Sequence, residues 1–600
     1  MSDRTIRIGG ASGFWGDAVL ATRQLLGDAM LDYIVYDYLA EITMSIMARA
    51  RAKRPEAGFA ADFVSAALAP NLKVIAERGI KVISNAGGVN PTACADAVRA
   101  AVKQAGLDLK VAEVTGDDLM PALDDVSAGQ VKEMFSGGDL PPKDKVFSAN
   151  AYFGAFPIAK ALDEGADIVV TGRCVDSAVT LGAAIHAFGW GDEDFDLLAS
   201  GSLAGHILEC GVQATGGNFT DWEEVANNLD TIGYPICELS ADGSFIVTKP
   251  EGTGGKVSRG TVGEQMLYEI GDPQAYALPD VVCDFSDVSI EETGPNRVKV
   301  SPARGLGKPS NYKVSLTYQD GFRGGHMFSF YGFDAARKAR HYGEKAIERA
   351  RNILRSMNAP DFSETSIEIL GAGSQFGDQS ASDGAREVVL KLAASHMDER
   401  GVGLLLREAV GLGLATPPGL SGFAGTRPRP SPMVKLFSFL WPQSDVPVSI
   451  EIDGRTIDWK APDSASVPSD CVRSKPPETP VLDGDIVEVP LIELAFARSG
   501  DKGDHANIGV MARDPAYLPY IWHSLNEQAV AQRFAHFLNG SVSRYLLPGS
   551  SSINFLLENA LGGGGVASLR NDPQAKGYSQ ILLAHPIKIP ASLLPERGAQ

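Results

Sequence analysis

The feature that most constrains this chain is a unit repeated along its first two hundred residues: a short β-branched apolar run, a turn of small and polar residues, then a helical stretch. Runs at 5–9, 33–37, 81–85, 109–114 and 166–171 open five such units, with Pro91 in the first turn of one helix and Asp176 near the start of another. Strands that alternate with helices must run parallel and be joined by crossovers. Parallel strands gather the turns that follow them along one edge of the sheet. The expected fold class is therefore α/β, with a Rossmann-like doubly wound parallel sheet in the N-terminal part and a crevice along its carboxyl edge.

Six hundred residues exceed what one core organises, so further units are expected. From about 234 to 452 the texture turns to alternating segments such as 297–301 and 313–318, interrupted by a helical stretch at 335–357 rich in Arg, Lys and Ala. This is a mixed α+β second lobe. Segments 427–432 and 461–480, dense in Pro, Ser and Asp, are expected as loop and linker. Beyond them lie a strand-like run at 486–498, helical stretches around 518–536 and apolar runs from Ser541 and Gln580, a small α/β sandwich of ferredoxin-like type. The expected division is 1–230 for the Rossmann-like lobe, 231–460 for the second lobe of the same large domain, 461–482 for the linker and 483–600 for the C-terminal domain.

Composition narrows the function. A formal net charge of -20 repels a phosphate backbone, and no basic run interleaved with aromatics offsets it, so nucleic acid is not an expected partner. No apolar stretch reaches the roughly 20 residues of a membrane helix, and the beginning of the chain lacks the features of a secretory signal, so a soluble cytoplasmic protein, not membrane-bound, is expected. The six cysteines are widely spaced with no zinc-ligand pair, which argues for reduced thiols and no structural metal. Whether the aspartates hold a divalent metal stays open. A homo-oligomer is expected.

The turns carry the candidate chemistry. Gly10, Gly13 and Gly16, with Ser12 among them, form a GxxGxxG turn that can bring backbone amides to a phosphate or carboxylate, or can serve only close packing. Asn85, Gly87 and Gly88 offer a second amide-rich loop at the same edge. The chain has no Tyr-x-x-x-Lys pair and no well-placed ribose-binding acid, so nicotinamide chemistry is disfavoured. The Gly-rich loop at 251–256 lacks the Gly-Lys-Ser/Thr ending of a P-loop, and neither a convincing serine-hydrolase elbow nor His-Glu-x-x-His occurs. Asp117, Arg173 and Asp176 end later strands. Arg173 suits an anion clamp, while Asp117 and Asp176 suit either proton transfer or helix capping. Of the nine histidines, His206 is the preferred general base, because Glu209 at i+3 can set its tautomer, although a structural role is the commoner one for a lone histidine. In the C-terminal domain, the run from Arg498 to Asn507 is the densest cluster of functional side chains. Its glycines at 500 and 503 favour a binding or interface role, with Lys502 reaching a substrate anion or a facing carboxylate and Asn507 fixing the loop.

With these residues in view, the chain resembles the acyclic terpene utilisation A (AtuA) family, known mainly from bacterial gene clusters for degrading citronellol and geraniol. The resemblance rests on 10–17, 85–91, 171–176, 201–217 and 499–504 with Asn507 and Gly509. The last motif resembles a small C-terminal domain that some members carry fused and others as a separate polypeptide. The family's pathway context implies a branched or terpenoid acyl-CoA thioester or related carboxylic acid as substrate, with coenzyme A part of that substrate and no redox cofactor. The expected activity is lyase-type, a hydratase, dehydratase or isomerase working by general acid/base chemistry with His206, Asp176 or Asp117. The alternatives are a non-catalytic acyl-CoA-binding partner of a pathway carboxylase and a nicotinamide-dependent oxidoreductase.

Overall fold

The computed structural model describes residues 4–17, 19–27, 30–380, 384–422, 428–461, 471–565 and 567–595. The repeated units fold as their pattern requires. Strands β1 (Thr5–Gly10), β2 (Tyr33–Tyr36), β3 (Lys81–Ser84), β4 (Val111–Thr115) and β6 (Ile168–Thr171) run parallel in the order β1-β2-β3-β6-β4, while β5 (Val146–Ala151) leaves for another sheet. Alternation splits each strand between two cores: Ile34 and Tyr36 face one, Tyr33 and Val35 the other. Chain segments between β1 and β4 pack on the first face through residues such as Met47, Phe63, Ile75 and Val98. Helices Phe156–Asp163, Ala178–Phe188 and Phe195–Leu208 cover the second through Ile158, Leu181 and Leu203. A right-handed crossover changes face when the chain reverses direction along the sheet, as it does from β4 back to β6.

The expectation of a doubly wound parallel sheet holds only for this core. Strand β7 (Ile236–Ser240) pairs antiparallel with β1 and is followed by β8 (Phe245–Thr248), Arg297–Val300 and Ile290–Gly294. On the far edge Ser449–Ile452 and Arg455–Ile457 add to β4. The result, among the described residues, is one mixed sheet of eleven strands built from both N-terminal stretches of the chain. Arg7, Glu238 and Arg297 join across its antiparallel flank.

A second sheet is organised by the 21-residue strand Asn311–Tyr331, which pairs with β5, Glu387–His396 and Ser431–Pro442. Helices Ala335–Ser356 and Glu399–Gly411 cover one of its faces around Phe330, Tyr342 and Leu405. Ser431 and Pro432, expected in a loop, lie in its edge strand, and Arg427 and 462–470 fall outside the described residues. Residues 471–483 carry neither helix nor strand. Among the described residues, no helix is long and apolar enough to cross a membrane.

The C-terminal unit holds a four-stranded antiparallel sheet in the order Ala495–Lys502, His505–Ala512, Ser552–Leu557, Val542–Leu547, with helices Leu518–Ser524, Glu527–Arg533 and Tyr578–Leu583. The run expected as one strand at 486–498 is broken by a turn at Leu491–Glu493, and its first part, Ile486–Pro490, pairs with Pro586–Pro590 instead. This unit is docked on the larger one. A Cβ on Gly263 would stand 2.4 Å from Met511, and one on Gly509 would stand 2.3 Å from Leu267, so the absence of side chains at both positions sets the approach. Asn507 is fully buried there: its Nδ2 donates to Leu267 O at 2.7 Å and to Asn554 Oδ1 at 2.9 Å, and its Oδ1 accepts from Glu269 N at 2.8 Å. Asn554 in turn donates to Ile270 O at 3.0 Å and Gly271 O at 2.7 Å. Replacing Asn507 by Ala orphans several buried groups at a cost of about 1–3 kcal/mol each. Asn507→Ala is expected to lower the first thermal unfolding transition in calorimetry and to speed proteolytic release of the C-terminal unit; an unchanged transition would show that the docking does not depend on it.

Candidate functional site

Parallel strands deliver Ser12, Asp37, Asn85, Asp117 and Arg173 to one edge of the sheet, and there they interlock. Ser12 Oγ donates to Asp37 O at 2.9 Å, Asn85 Nδ2 donates to Asp37 Oδ1, and Tyr38 N donates to Asn85 Oδ1 at 2.8 Å. Arg173, 2% exposed, donates through its backbone N to Asp117 Oδ2 at 2.9 Å and through Nη1 to Leu39 O at 3.0 Å and Asp176 Oδ1 at 2.6 Å. Its guanidinium lies 4.1 Å from the centre of the Tyr152 ring, a favourable cation–π contact. Tyr152 OH donates to Glu41 Oε1 at 2.7 Å, and Lys313 approaches the same carboxylate at 3.4 Å.

These contacts set the charges. Burial opposes ionisation of Arg173, but Asp176, Tyr152, Glu41 and Asp37 around it hold it charged above its ordinary range. Burial likewise raises Glu41, yet Lys313, Arg173 and the Tyr152 hydroxyl prevail and hold its carboxyl well below the usual range. Asp37 moves the other way, pushed up by burial and by Asp176. Burial carries Asp117 up to about 7 in spite of the hydrogen bonds from Arg173 N and Asn150 Nδ2, the latter at 2.8 Å. A Cβ at position 172 would overlap the Asp117 carboxyl at 2.1 Å, so glycine there is what admits it beneath the loop. Asp117 thus supports the Arg173 backbone from below.

His206 joins this edge from the helix Phe195–Leu208. Gly201 and Gly205 let that helix press against its neighbours, a Cβ at 205 falling 2.7 Å from Ser177 O, beside Asp176. His206 Nδ1 is 2.8 Å from Glu209 Oε1, whereas Nε2 is buried with no hydrogen-bond partner among the described residues. A carboxylate at Nδ1 fixes the proton there and leaves Nε2 as the basic nitrogen. Burial raises the Glu209 carboxyl, with His206 acting against it.

Lys502 arrives from the C-terminal unit. The residues read as a charged loop are a β-hairpin, Ala495–Lys502 pairing with His505–Ala512 about a turn at Gly503 and Asp504. Lys502 Nζ lies 3.3 Å from Tyr276 OH, and the Tyr276 ring is 6.4 Å from the His206 ring. Burial disfavours the ammonium, but Tyr276, Glu269 and Asp176 raise its pKa well above the ordinary lysine range. Arg173, Asp176, His206 and Lys502 are thus brought into one cluster of side chains drawn from both units, with Asp117 beneath the Arg173 backbone.

Of the two roles that the glycine spacing allows, close packing is the one visible at Gly10 and Gly13. A Cβ on Gly10 would lie 2.8 Å from Leu208 O and one on Gly13 would lie 2.7 Å from the Cys210 carbonyl carbon, so the close approach these residues permit is to the chain's own backbone. No helix opens directly after them: residues 11–17 form turns and bends, and the next helix, Ala21–Leu25, spans five residues. Gly16 adopts a positive φ of 102°. Gly87 and Gly88 are similarly pressed, the former by Thr171 O at 2.4 Å and the latter by Met47 Sδ at 2.3 Å, although their loop does open the helix Pro91–Gln104.

Glu41, Tyr152 and Tyr276 escaped sequence reasoning. Tyr152 follows β5, whose sequence VFSANA lacks the β-branched signature, and Tyr276 sits in the loop-like DPQAYALPD. Glu41 begins the helix Glu41–Lys53, where an acid is ordinary. Among the described residues, no group of three or more His, Cys, Asp or Glu side chains is arranged to hold a metal ion.

Two family models match the chain. The family model described as acyclic terpene utilisation family protein AtuA matches residues 6–452, and that of the AtuA ferredoxin-like domain matches residues 489–588. No curated protein and no solved structure matches the chain significantly. With both parts matched in order on one polypeptide, the chain belongs to the acyclic terpene utilisation AtuA family, in the full-length form with a fused ferredoxin-like domain.

Proposed function

We propose that this protein is an enzyme that moves a proton next to the carbonyl of a branched or terpenoid acyl-CoA thioester or related carboxylic acid, adding or removing water or shifting a double bond. The observation that carries the reading is His206: an imidazole oriented by Glu209, with a buried basic nitrogen that no described protein group occupies. A base so placed is suited to take the weakly acidic proton beside a carbonyl, a service worth about 10²–10⁴ in rate. The enolate that forms needs positive charge near its oxygen. Lys502 and Arg173, both held cationic by their neighbours, are the groups of this cluster able to supply it. Family membership in acyclic terpene utilisation favours a branched acyl substrate.

The test is incubation of the pure protein with a panel of branched enoyl- and hydroxyacyl-CoA thioesters, following mass changes of about 18 units for gain or loss of water and deuterium uptake at the α-carbon. His206→Gln keeps the size of the side chain and removes the base; it is expected to depress both signals by about 10²–10⁴ with unchanged circular dichroism. Turnover at the unaltered rate in that variant would move the base elsewhere. Lys502→Ala is expected to lower affinity or turnover by more than about tenfold, equivalent to about 1.4 kcal/mol, with the fold preserved. Wild-type kinetics in Lys502→Ala would leave the C-terminal hairpin with a purely architectural role.

A further inference from the structure

A strand at the edge of a sheet has backbone groups without a neighbour, and such an edge invites pairing with another chain unless it is blunted or covered. The eleven-stranded sheet is blunted at both ends: Ile290–Gly294 shifts register between Glu292 and Gly294, and Arg455–Ile457 is three residues long. In the second sheet, Leu420–Ser421 is two residues long, β5 exchanges backbone bonds with Asp117 and Leu119, and Ser431–Pro442 receives Met134 N at Ser438 O. The seven-residue strand Glu364–Leu370 is different. It pairs without a register shift with Glu387–His396 and, among the described residues, with no other strand. Its sequence, ETSIEIL, has neither Pro nor Lys to discourage pairing, and Thr365, Ile367 and Ile369 give it the β-branched composition of an interior strand.

The open side of this strand is read from its end. Ile369 N donates to Ser374 Oγ at 2.6 Å and Ile369 O accepts from Ala372 N at 3.2 Å, so the Ile369 backbone faces away from Glu387–His396. By strand alternation the N–H and C=O of Thr365 and Ile367 face the same way. Beside them runs the helix Ala335–Ser356, seated so closely that a Cβ on Gly343 would stand 3.2 Å from Leu390 and 3.3 Å from Ile367. Between helix and strand lies a groove of about 350 Å³, with Ile347 and Ile367 in its lining and Glu344, Glu348, Arg351 and Arg355 along its helical side.

These four charges are self-complementary. A twofold axis midway between Glu348 and Arg351 turns Glu344 onto Arg355 and Glu348 onto Arg351. A twofold axis at Ser366 turns Thr365 onto Ile367, the two residues with outward backbone groups, and both positions border the same groove. Glu348 and Arg351 are already engaged within the chain, by Lys345 at 2.7 Å and Asp361 at 3.0 Å. Among the described residues Glu344 makes no ion pair, and Arg355 makes only a hydrogen bond to Asn352 at 3.1 Å. We propose that this edge is a homodimer surface on which a second copy of the chain docks about a twofold axis, strand antiparallel to strand and helix antiparallel to helix, with Glu344 of each copy meeting Arg355 of the other. The backbone groups of Thr365 and Ile367 are then paired, Ile347 and Ile367 are covered, and one sheet runs through both copies. Exposed ion pairs add little strength, so the edge supplies the affinity and the charges set the register.

The test is the mass of the full chain in solution, by sedimentation equilibrium across a dilution series. A dimer is expected. Glu344→Arg and Arg355→Glu, each alone, set like charges opposite one another and are expected to raise the dissociation constant by more than about tenfold. The chain carrying both substitutions, in which the signs are exchanged, is expected to recover the dimer, and so is an equimolar mixture of the two single variants. Both positions are exposed, so circular dichroism should be unchanged. Thr365→Lys, which puts a charge on the open edge, is expected to give a monomer. A monomeric unaltered chain at every concentration overturns the proposal. So does a dimer that all three single substitutions leave at full affinity, or a loss that exchanging the charges does not recover.

Discussion

A guanidinium buried beneath the loops of a sheet must be surrounded by acceptors, because an unpaired buried charge costs several kcal/mol. Arg173 draws on separate parts of the chain for this, the carbonyl of Leu39 after β2, the ring of Tyr152 after β5 and Asp176 three residues on, while its Nε is buried with no hydrogen-bond partner among the described residues. Its own backbone rests on Asp117, after β4. Loops that would otherwise be independent are thereby fixed in one arrangement, and the carboxylates needed to balance a single cation accumulate around it. Asp37, Glu41 and Asp176 can share so small a region because Arg173 and Lys313 stand among them, and where that compensation falls short, as at Asp37, the carboxyl rises instead.

The ferredoxin-like unit completes this arrangement. Its contact with the larger unit combines close packing at Gly263 and Gly509 with saturated hydrogen bonding at Asn507 and Asn554, and it is extended by Arg513, which grips both oxygens of Asp221 at 2.6 Å. The middle of the chain holds the unit from another side: Arg323 Nη1 donates to Ser568 O at 2.8 Å and Lys391 donates to Leu569 O. A domain held along several directions places its hairpin reproducibly. Lys502 is therefore a fixed charge in a side-chain cluster whose other members come from hundreds of residues earlier.

Much of the fold was legible because β-branched runs followed by small-residue turns leave the chain few alternatives. The five parallel strands at 5–10, 33–36, 81–84, 111–115 and 168–171 follow the expected positions closely. The antiparallel flanks were harder to read, since strands such as Ile236–Ser240 join the sheet through pairings that no local signal announces. The His206–Glu209 pair was visible because helical spacing alone brings the two together. The glycines at 10 and 13 show the opposite case: their spacing reports a close approach, but not whether a ligand or the chain's own residues 208–210 make it. Tyr152, Tyr276 and Glu41 owe their neighbours to tertiary packing, and an isolated aromatic or acid carries no mark of that in sequence.

Because the hairpin bearing Lys502 is encoded some three hundred residues after His206, the cluster cannot be assembled in the order in which the chain is made. At about 5–20 residues per second, the sheet that carries Arg173 and His206 has tens of seconds on the ribosome before the hairpin emerges. During that interval the surface of 259–271 that will receive Asn507 and Gly509 is uncovered and the nascent protein lacks one member of its cluster. A polypeptide truncated before residue 495 would keep the arginine and the histidine but not the lysine that approaches Tyr276 beside them.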